Sequence, residues 1–323
     1  VIRIIKRAAI ALILVVLVLI GLLATTFTAK PIDVASYDQS TRTFSDNTAP
    51  DPSSLPEVSL SIIKCGLMTS KESFVYRGGS WSREYRSGMA AALIRHRRGS
   101  FLFDTGFGVN VDQHVKSMPW LMQKVANYRK ETPAALQLSE HGLDPNLIKT
   151  IILSHSHWDH ISGAEDFANA EVLLSREEAS FVAGLSQTEL IKKLEGRLRL
   201  RAIEISGPPY ENFDRSLDLY GDGSIELVPL EGHTPGSIGM FVNLRSGKRF
   251  FFVGDLTWAT EGIRIPTERP WLSRRLVDFD DEGVRRSVVR VHNLASRYPN
   301  LVIVPAHDRR VHEQIAAFPD SER

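Results

Sequence analysis

The sequence predicts an α/β domain, its sheets covered by helices on their outer faces, set behind a single N-terminal membrane-spanning helix. Three observations carry this expectation. Beyond residue 57, short apolar strands alternate with longer amphipathic stretches. Residues 8–27 contain no charged side chain. Between these regions, residues 28–56 are rich in Ser, Thr, Asp and Pro without sustained periodicity, the composition of a flexible linker.

At 1.5 Å per residue the uncharged stretch spans about 30 Å, the hydrocarbon thickness of a bilayer. Arg3, Lys6 and Arg7 precede it. The positive-inside rule then makes residues 1–7 a cytoplasmic stub and places the domain, residues 57–323, on the extracytoplasmic, periplasmic side. The rival reading is a cleaved signal peptide and a secreted domain. Against it, the exit from Leu22 to Ala29 offers no clean pair of small residues for cleavage.

Within the domain, residues 90–95 and 100–103 read as a hairpin around an Arg97-Arg98-Gly99 turn. Residues 150–153, 171–174, 224–228, 239–243, 250–253 and 301–304 each read as one further strand. Helical periodicity falls at residues 121–130, 176–183, 187–198 and 282–296. With 43% apolar and 24% charged residues, the chain is neither collagen-like nor disordered. The first 56 residues hold five Lys/Arg and four Asp/Glu, leaving 34 of each sign for the domain. A neutral domain has no general field to gather a polyanion, so nucleic acid is not an expected partner.

The one cysteine, Cys65, allows neither an intramolecular disulfide nor a thiolate metal cage. Any metal must be held by nitrogen and oxygen. Histidines concentrate at the end of the strand at 150–153, where the chain runs Ser154-His155-Ser156-His157-Trp158-Asp159-His160. Alternation sends His155 and His157 to the same side while the backbone is extended. Asp159 and His160 follow as the chain turns toward a helix, so one segment can present ligands to two neighbouring metal positions.

This His-x-His-x-Asp-His segment after a strand resembles the signature of the metallo-β-lactamase superfamily, and the resemblance continues along the domain. His233, in Gly232-His233-Thr234-Pro235-Gly236, looks like the family's third motif. Asp255, in Val253-Gly254-Asp255, looks like its bridging carboxylate, and His307, in Pro305-Ala306-His307-Asp308, like its last histidine. Singly, His233 or His307 reads more readily as a satisfied polar residue; four motifs in family order carry the resemblance. It implies a four-layer αβ/βα sandwich with a dinuclear centre. His155, His157 and His233 would take one ion, Asp159, His160 and His307 the second, and Asp255 would be shared. Five imidazoles and two carboxylates suit two Zn²⁺ and do not exclude Mn²⁺ or Fe. Asp104, in Phe103-Asp104-Thr105-Gly106, matches a further family motif that orients a ligand histidine; a plain turn residue is the alternative.

The resemblance implies a hydrolase in which hydroxide held by two ions attacks an ester or lactone carbonyl. Asp159, or a water on the ions, would handle the proton. The stretches 89–106 and 143–154 and the Gly-His-Thr-Pro-Gly motif look most like the N-acyl homoserine lactone lactonase branch. A phosphodiesterase or another hydrolase of the superfamily is the alternative. Asp255 demotes a β-lactamase, and a non-catalytic metal-binding module ranks lower still. Lactonases commonly carry tyrosine three residues after the bridging aspartate, whereas this chain has Trp258. An indole N–H donates one hydrogen bond but shuttles no proton, so Trp258 is read mainly as a wall of an apolar pocket. Trp120, in Met118-Pro119-Trp120-Leu121-Met122, and Trp81 are further pocket candidates, with core packing as their alternative. The expected partners are a small-molecule ester or lactone and, through the N-terminal helix, a membrane.

Overall fold

Two groups of strands carry apolar side chains on both faces, and that decides the layering. The computed structural model describes every residue except 1, 38–40, 42, 47–48, 119 and 126, and leaves aside the side chains of 2–5, 8, 121–122 and 125. The first sheet contains β1 (Val58–Lys71), β2 (Glu84–His96), β3 (Gly99–Phe103), β4 (Tyr128–Lys130), β5 (Thr150–Ile152), β6 (Glu171–Ser175) and β7 (Arg199–Ile203), in the order β4-β1-β2-β3-β5-β6-β7. The second contains β8 (Leu217–Asp218), β9 (Ile225–Pro229), β10 (Ile238–Asn243), β11 (Arg249–Phe252) and β12 (Leu301–Val304), in the order β12-β11-β10-β9-β8.

Period-two alternation separates the faces. Ile94, Phe103, Ile152 and Leu173 of the first sheet meet Leu227, Met240, Val242 and Val304 of the second in a buried middle layer. Leu93, Leu102, Ile151 and Val172 point the other way, onto Phe107, Ile161, Phe167 and Leu190. Val228, Phe241 and Phe251 face Val284, Val288, Val291 and Leu294 of a long helix that spans Asp281–Arg297. The result is the expected four layers, helices and sheet against sheet and helices. Strands buried on both faces are nearly continuous apolar runs, which is why β5, β10 and β12 were legible. The residues that follow β3, β5, β9, β11 and β12 bring Asp104, the 155–160 segment, His233, Asp255 and His307 together.

Three expectations about elements change. The periodic stretch 121–130 is a helix only over Trp120–Val125. Its last three residues form β4, which pairs with Gly66, Leu67 and Met68 of β1. The helix expected at 187–198 shortens to Leu190–Leu194. The N-terminal stretch is helical, α1 (Ile2–Thr25), yet among the described residues no helix is long and apolar enough to cross a membrane. The expected transmembrane anchor is therefore not supported, and the membrane-anchored, periplasmic placement falls with it.

The residues after α1 run along the domain. Arg77 donates to the carbonyls of Thr25 and Thr28, each at 3.1 Å, satisfying oxygens that a helix end leaves open. Phe27 is buried against the rings of Phe74 and Trp81. Further on, Ile32 N–H donates to Pro266 O at 2.7 Å and the Asn212 amide donates to Thr41 O at 3.0 Å.

Candidate metal centre

Every side chain of the expected ligand set arrives from a strand end, and three groups of them have ligand atoms within 4.8 Å of one another. His155, His157 and His233 form one group, Asp159, His160 and His307 a second, and Asp255 lies with His155 and His160 between them. Asp255 spans the two: Oδ1 is 3.0 Å from His307 Nε2 and 3.3 Å from His160 Nε2, while Oδ2 is 3.5 Å from His233 Nε2.

The outer ring nitrogens of four of the five imidazoles are engaged. His160 Nδ1 lies 2.9 Å from Asp104 Oδ2, His233 Nδ1 2.8 Å from Asp278 Oδ1, and His307 Nδ1 2.9 Å from Gly88 O. Each carboxylate or carbonyl accepts, which places a proton on Nδ1 and turns Nε2 inward, where a cation can displace any proton it carries. His155 Nδ1 is 3.0 Å from Ser154 Oγ. In the first group, His155 Nε2, His157 Nδ1 and His233 Nε2 then converge at 2.9–3.2 Å. Three mutually facing nitrogens cannot all be satisfied by one another's protons. In the second group, His160 Nε2 and Asp255 Oδ1 are buried without a well-formed hydrogen bond. Converging lone pairs and orphaned buried acceptors fit a cation at each position.

The electrostatics agree. Burial first, and then the neighbouring imidazoles, hold His155 and His157 well below the usual imidazole pKa, in the neutral form a metal requires. Burial also opposes charge on His160, but Asp104 and Asp255 outweigh it and hold that pKa well above the usual value. For Asp255, burial alone would raise the pKa; His307 and His160 beside it hold it well below the carboxylate range. Cations bound there would replace protons that this cluster otherwise keeps.

Four carboxylates behind the centre set its geometry. Asp104 sits at φ 53°, a left-handed conformation uncommon for a residue with a side chain. It accepts from Ser154 N at 2.7 Å and Ser154 Oγ at 2.8 Å as well as from His160. Glu178, on the helix Arg176–Ala183, links the first group's two loops by accepting from Ser156 and Thr234. Asp308 accepts from Thr260 N at 2.9 Å and from Arg310, joining the loops that carry Asp255 and His307. Asp278 supports His233. Sequence reasoning found Asp104 and missed the other three, because their partners are remote in sequence and no local pattern marks them.

Trp258 is not a free wall. Its Nε1–H donates to Asp255 Oδ2 at 2.8 Å. Trp81 packs on Phe27 and Phe74, and Trp120 is 72% exposed at the start of its helix; neither contacts a ligand residue among the described contacts. Leu121 and Met122, named with Trp120 as a pocket wall, have side chains outside the described set, as does Pro119. The centre is least covered at His157, Asp159 and Trp258, which are half-buried while the other ligands are buried.

Residues 90–311 match the model of the metallo-beta-lactamase superfamily. The chain belongs to that superfamily. As a metallo-beta-lactamase superfamily hydrolase it resembles a probable metallo-hydrolase of Mycobacterium tuberculosis, 28% identical over 232 residues, which covers 67% of this chain and 73% of the relative. It also resembles the N-acyl homoserine lactonase AttM of Azorhizobium caulinodans, 23% identical over 266 residues, or 79% of this chain and 94% of the relative. Among solved structures, an N-acyl homoserine lactone hydrolase with N-hexanoyl-L-homoserine bound at its catalytic metal centre matches with a TM-score of 0.65. At 18% identity it covers 83% of this chain and 100% of its own, and it establishes the shared fold.

Proposed function

We propose that this superfamily member is a dinuclear metal-dependent hydrolase of small-molecule esters or lactones. The observation that carries the proposal is the meeting of two ligand groups at Asp255, with one carboxylate oxygen facing each. His155, His157 and His233 would hold one ion, Asp159, His160 and His307 the other, with Asp255 between. Zinc suits this nitrogen and oxygen set. When bound, such ions polarise a carbonyl oxygen and make water nucleophilic near neutral pH.

The chain's own groups do the rest. Asp104, Asp278 and Gly88 O fix three imidazoles in one tautomer, so no ligand must reorganise as charge develops. Substrate enters on the side of His157, Asp159 and Trp258. Asp159, the least buried carboxylate of the set, takes and returns the proton. Trp258 has its one N–H committed to Asp255 and offers substrate only an apolar ring. Similarity to lactonases over 79% of the chain supports the substrate class. The test is a screen of zinc-loaded protein against lactones, aryl esters, phosphodiesters and a chromogenic β-lactam. Turnover of lactones or esters above the others is expected; selective phosphodiester turnover overturns the substrate class.

A further inference from the structure

We propose that Arg269 is a positioning residue of the metal centre, a bracket that holds His233 and Asp255, ligands on two different loops, in one fixed relation. The inference rests on the dinuclear reading above. Arg269 is 3% exposed and lies outside every motif that named the ligands. Its guanidinium makes three contacts, and each leads to a ligand.

The first contact runs through Asp278. Arg269 Nη1 donates to Asp278 Oδ1 at 2.8 Å, and the same oxygen accepts from His233 Nδ1 at 2.8 Å. Asp278 has no exposed side-chain surface. Two neighbouring backbone bonds run the same way: Phe279 N donates to His233 O at 3.1 Å and Asp280 N to Gly232 O at 2.9 Å. Residues 278–280 therefore lie along the His233 loop, and Arg269 fixes their carboxylate. The second contact is from Nη2 to the backbone oxygen of Asp255. The third is a stacked one, with the guanidinium carbon 4.5 Å from the centroid of the Trp258 ring. That ring's Nε1–H donates to Asp255 Oδ2 at 2.8 Å. Asp255 is thus held at its main chain directly and at its side chain through Trp258.

Only arginine satisfies all three contacts. A planar fork directs two donors to separate acceptors while its face stacks on an aromatic ring, which a lysine ammonium cannot do. Charge alone does not explain the residue. A lone cation beside two divalent ions would repel them, and Asp278 offsets its charge. What remains is geometry, with His233 from the first group and the shared Asp255 set against each other by one side chain.

The test uses the full chain loaded with zinc. The variants are Arg269→Gln, Arg269→Lys, Asp278→Asn and Trp258→Phe, and Arg290→Gln serves as a control. Arg290 is also largely buried and donates to Asn212 O at 2.6 Å, but it touches no ligand. Zinc per chain, the rate of zinc transfer to a chromophoric chelator and the melting temperature of the metal-free protein are measured for each. Groups that orient metal ligands from behind change metal affinity by about 10–100-fold. The bracket predicts zinc release faster by about that factor in Arg269→Gln and Trp258→Phe, with no recovery in Arg269→Lys. Combining Arg269→Gln with Trp258→Phe should add less than the product of the two, because they act on one ligand. Arg290→Gln should lower the melting temperature with wild-type release. Wild-type release from the Arg269 variants, or from Trp258→Phe if those do not fold, overturns the bracket alone. Wild-type protein that binds no zinc overturns the hydrolase reading, and the bracket with it.

Discussion

Glu178 offers the sharpest single test of how the centre is built. Its carboxylate is 1% exposed and accepts from Ser156 N at 2.8 Å, Ser156 Oγ at 2.6 Å, Thr234 Oγ1 at 2.6 Å and Gly236 N at 3.2 Å. Ser156 lies between His155 and His157, and Thr234 follows His233, so one side chain ties together the loops of the first ligand group. Glu178→Ala leaves these donors without an acceptor. The hydroxyls can turn elsewhere; Thr234 Oγ1 already lies 2.7 Å from Ser237 Oγ. The two backbone N–H groups cannot, and a buried unsatisfied donor costs about 1–3 kcal/mol. The expected loss is therefore about 2–6 kcal/mol. Glu178→Gln keeps one acceptor oxygen and should cost about half as much. Urea unfolding of metal-free protein measures this without contribution from the ions. A loss below about 1 kcal/mol in Glu178→Ala would show that the loops hold their shape independently, and the clamp argument would fail.

Further outcomes follow from the same geometry. Asp255→Ala removes the carboxylate between the two ligand groups; it should lose one of two zinc equivalents by elemental analysis and several orders of magnitude in rate, and two ions with full activity would refute the sharing. Gly232 has φ +130°, and a Cβ there would lie 2.2 Å from Val284 N, so Gly232→Ala must push the His233 loop off the Asp281–Arg297 helix and should lower stability by several kcal/mol in urea unfolding, roughly at the upper end for point mutants. Glu226 on β9 is buried, and burial followed by Asp218 pushes its pKa from 4.5 up to about 7. The folded state thus holds this proton more tightly than the unfolded chain, so the contribution to stability is full below pH 4.5 and is lost as pH rises through about 7. Glu226→Gln should gain on the wild type between pH 4 and pH 8, and parallel pH curves of unfolding free energy would refute this.

The ligands were readable because their signal is local. Histidine and aspartate directly after a buried strand are rare, and 154–160 places four candidate ligands in one stretch. The scaffold was readable where strands are buried on both faces. β1 was not, because a bulge between Lys64 and Gly66 interrupts its alternation. β4 was not, because Tyr128, Arg129 and Lys130 become a strand only by pairing with β1. The packing of Trp81 on Phe27 and Phe74 joins segments about fifty residues apart and has no local signal in the sequence.

The sequence by itself determined the family, the layered α/β class and seven ligand-type side chains, since each depends on residue type and short-range spacing. Tertiary structure alone decided which groups stand behind them. Asp278, Glu178, Asp308 and Arg269 carry no local signal of these roles in the sequence. They became buried acceptors and a buried guanidinium only when segments tens of residues apart closed around the ligands. A carboxylate in that setting is stable only with its donors in place, and those donors are supplied by the fold.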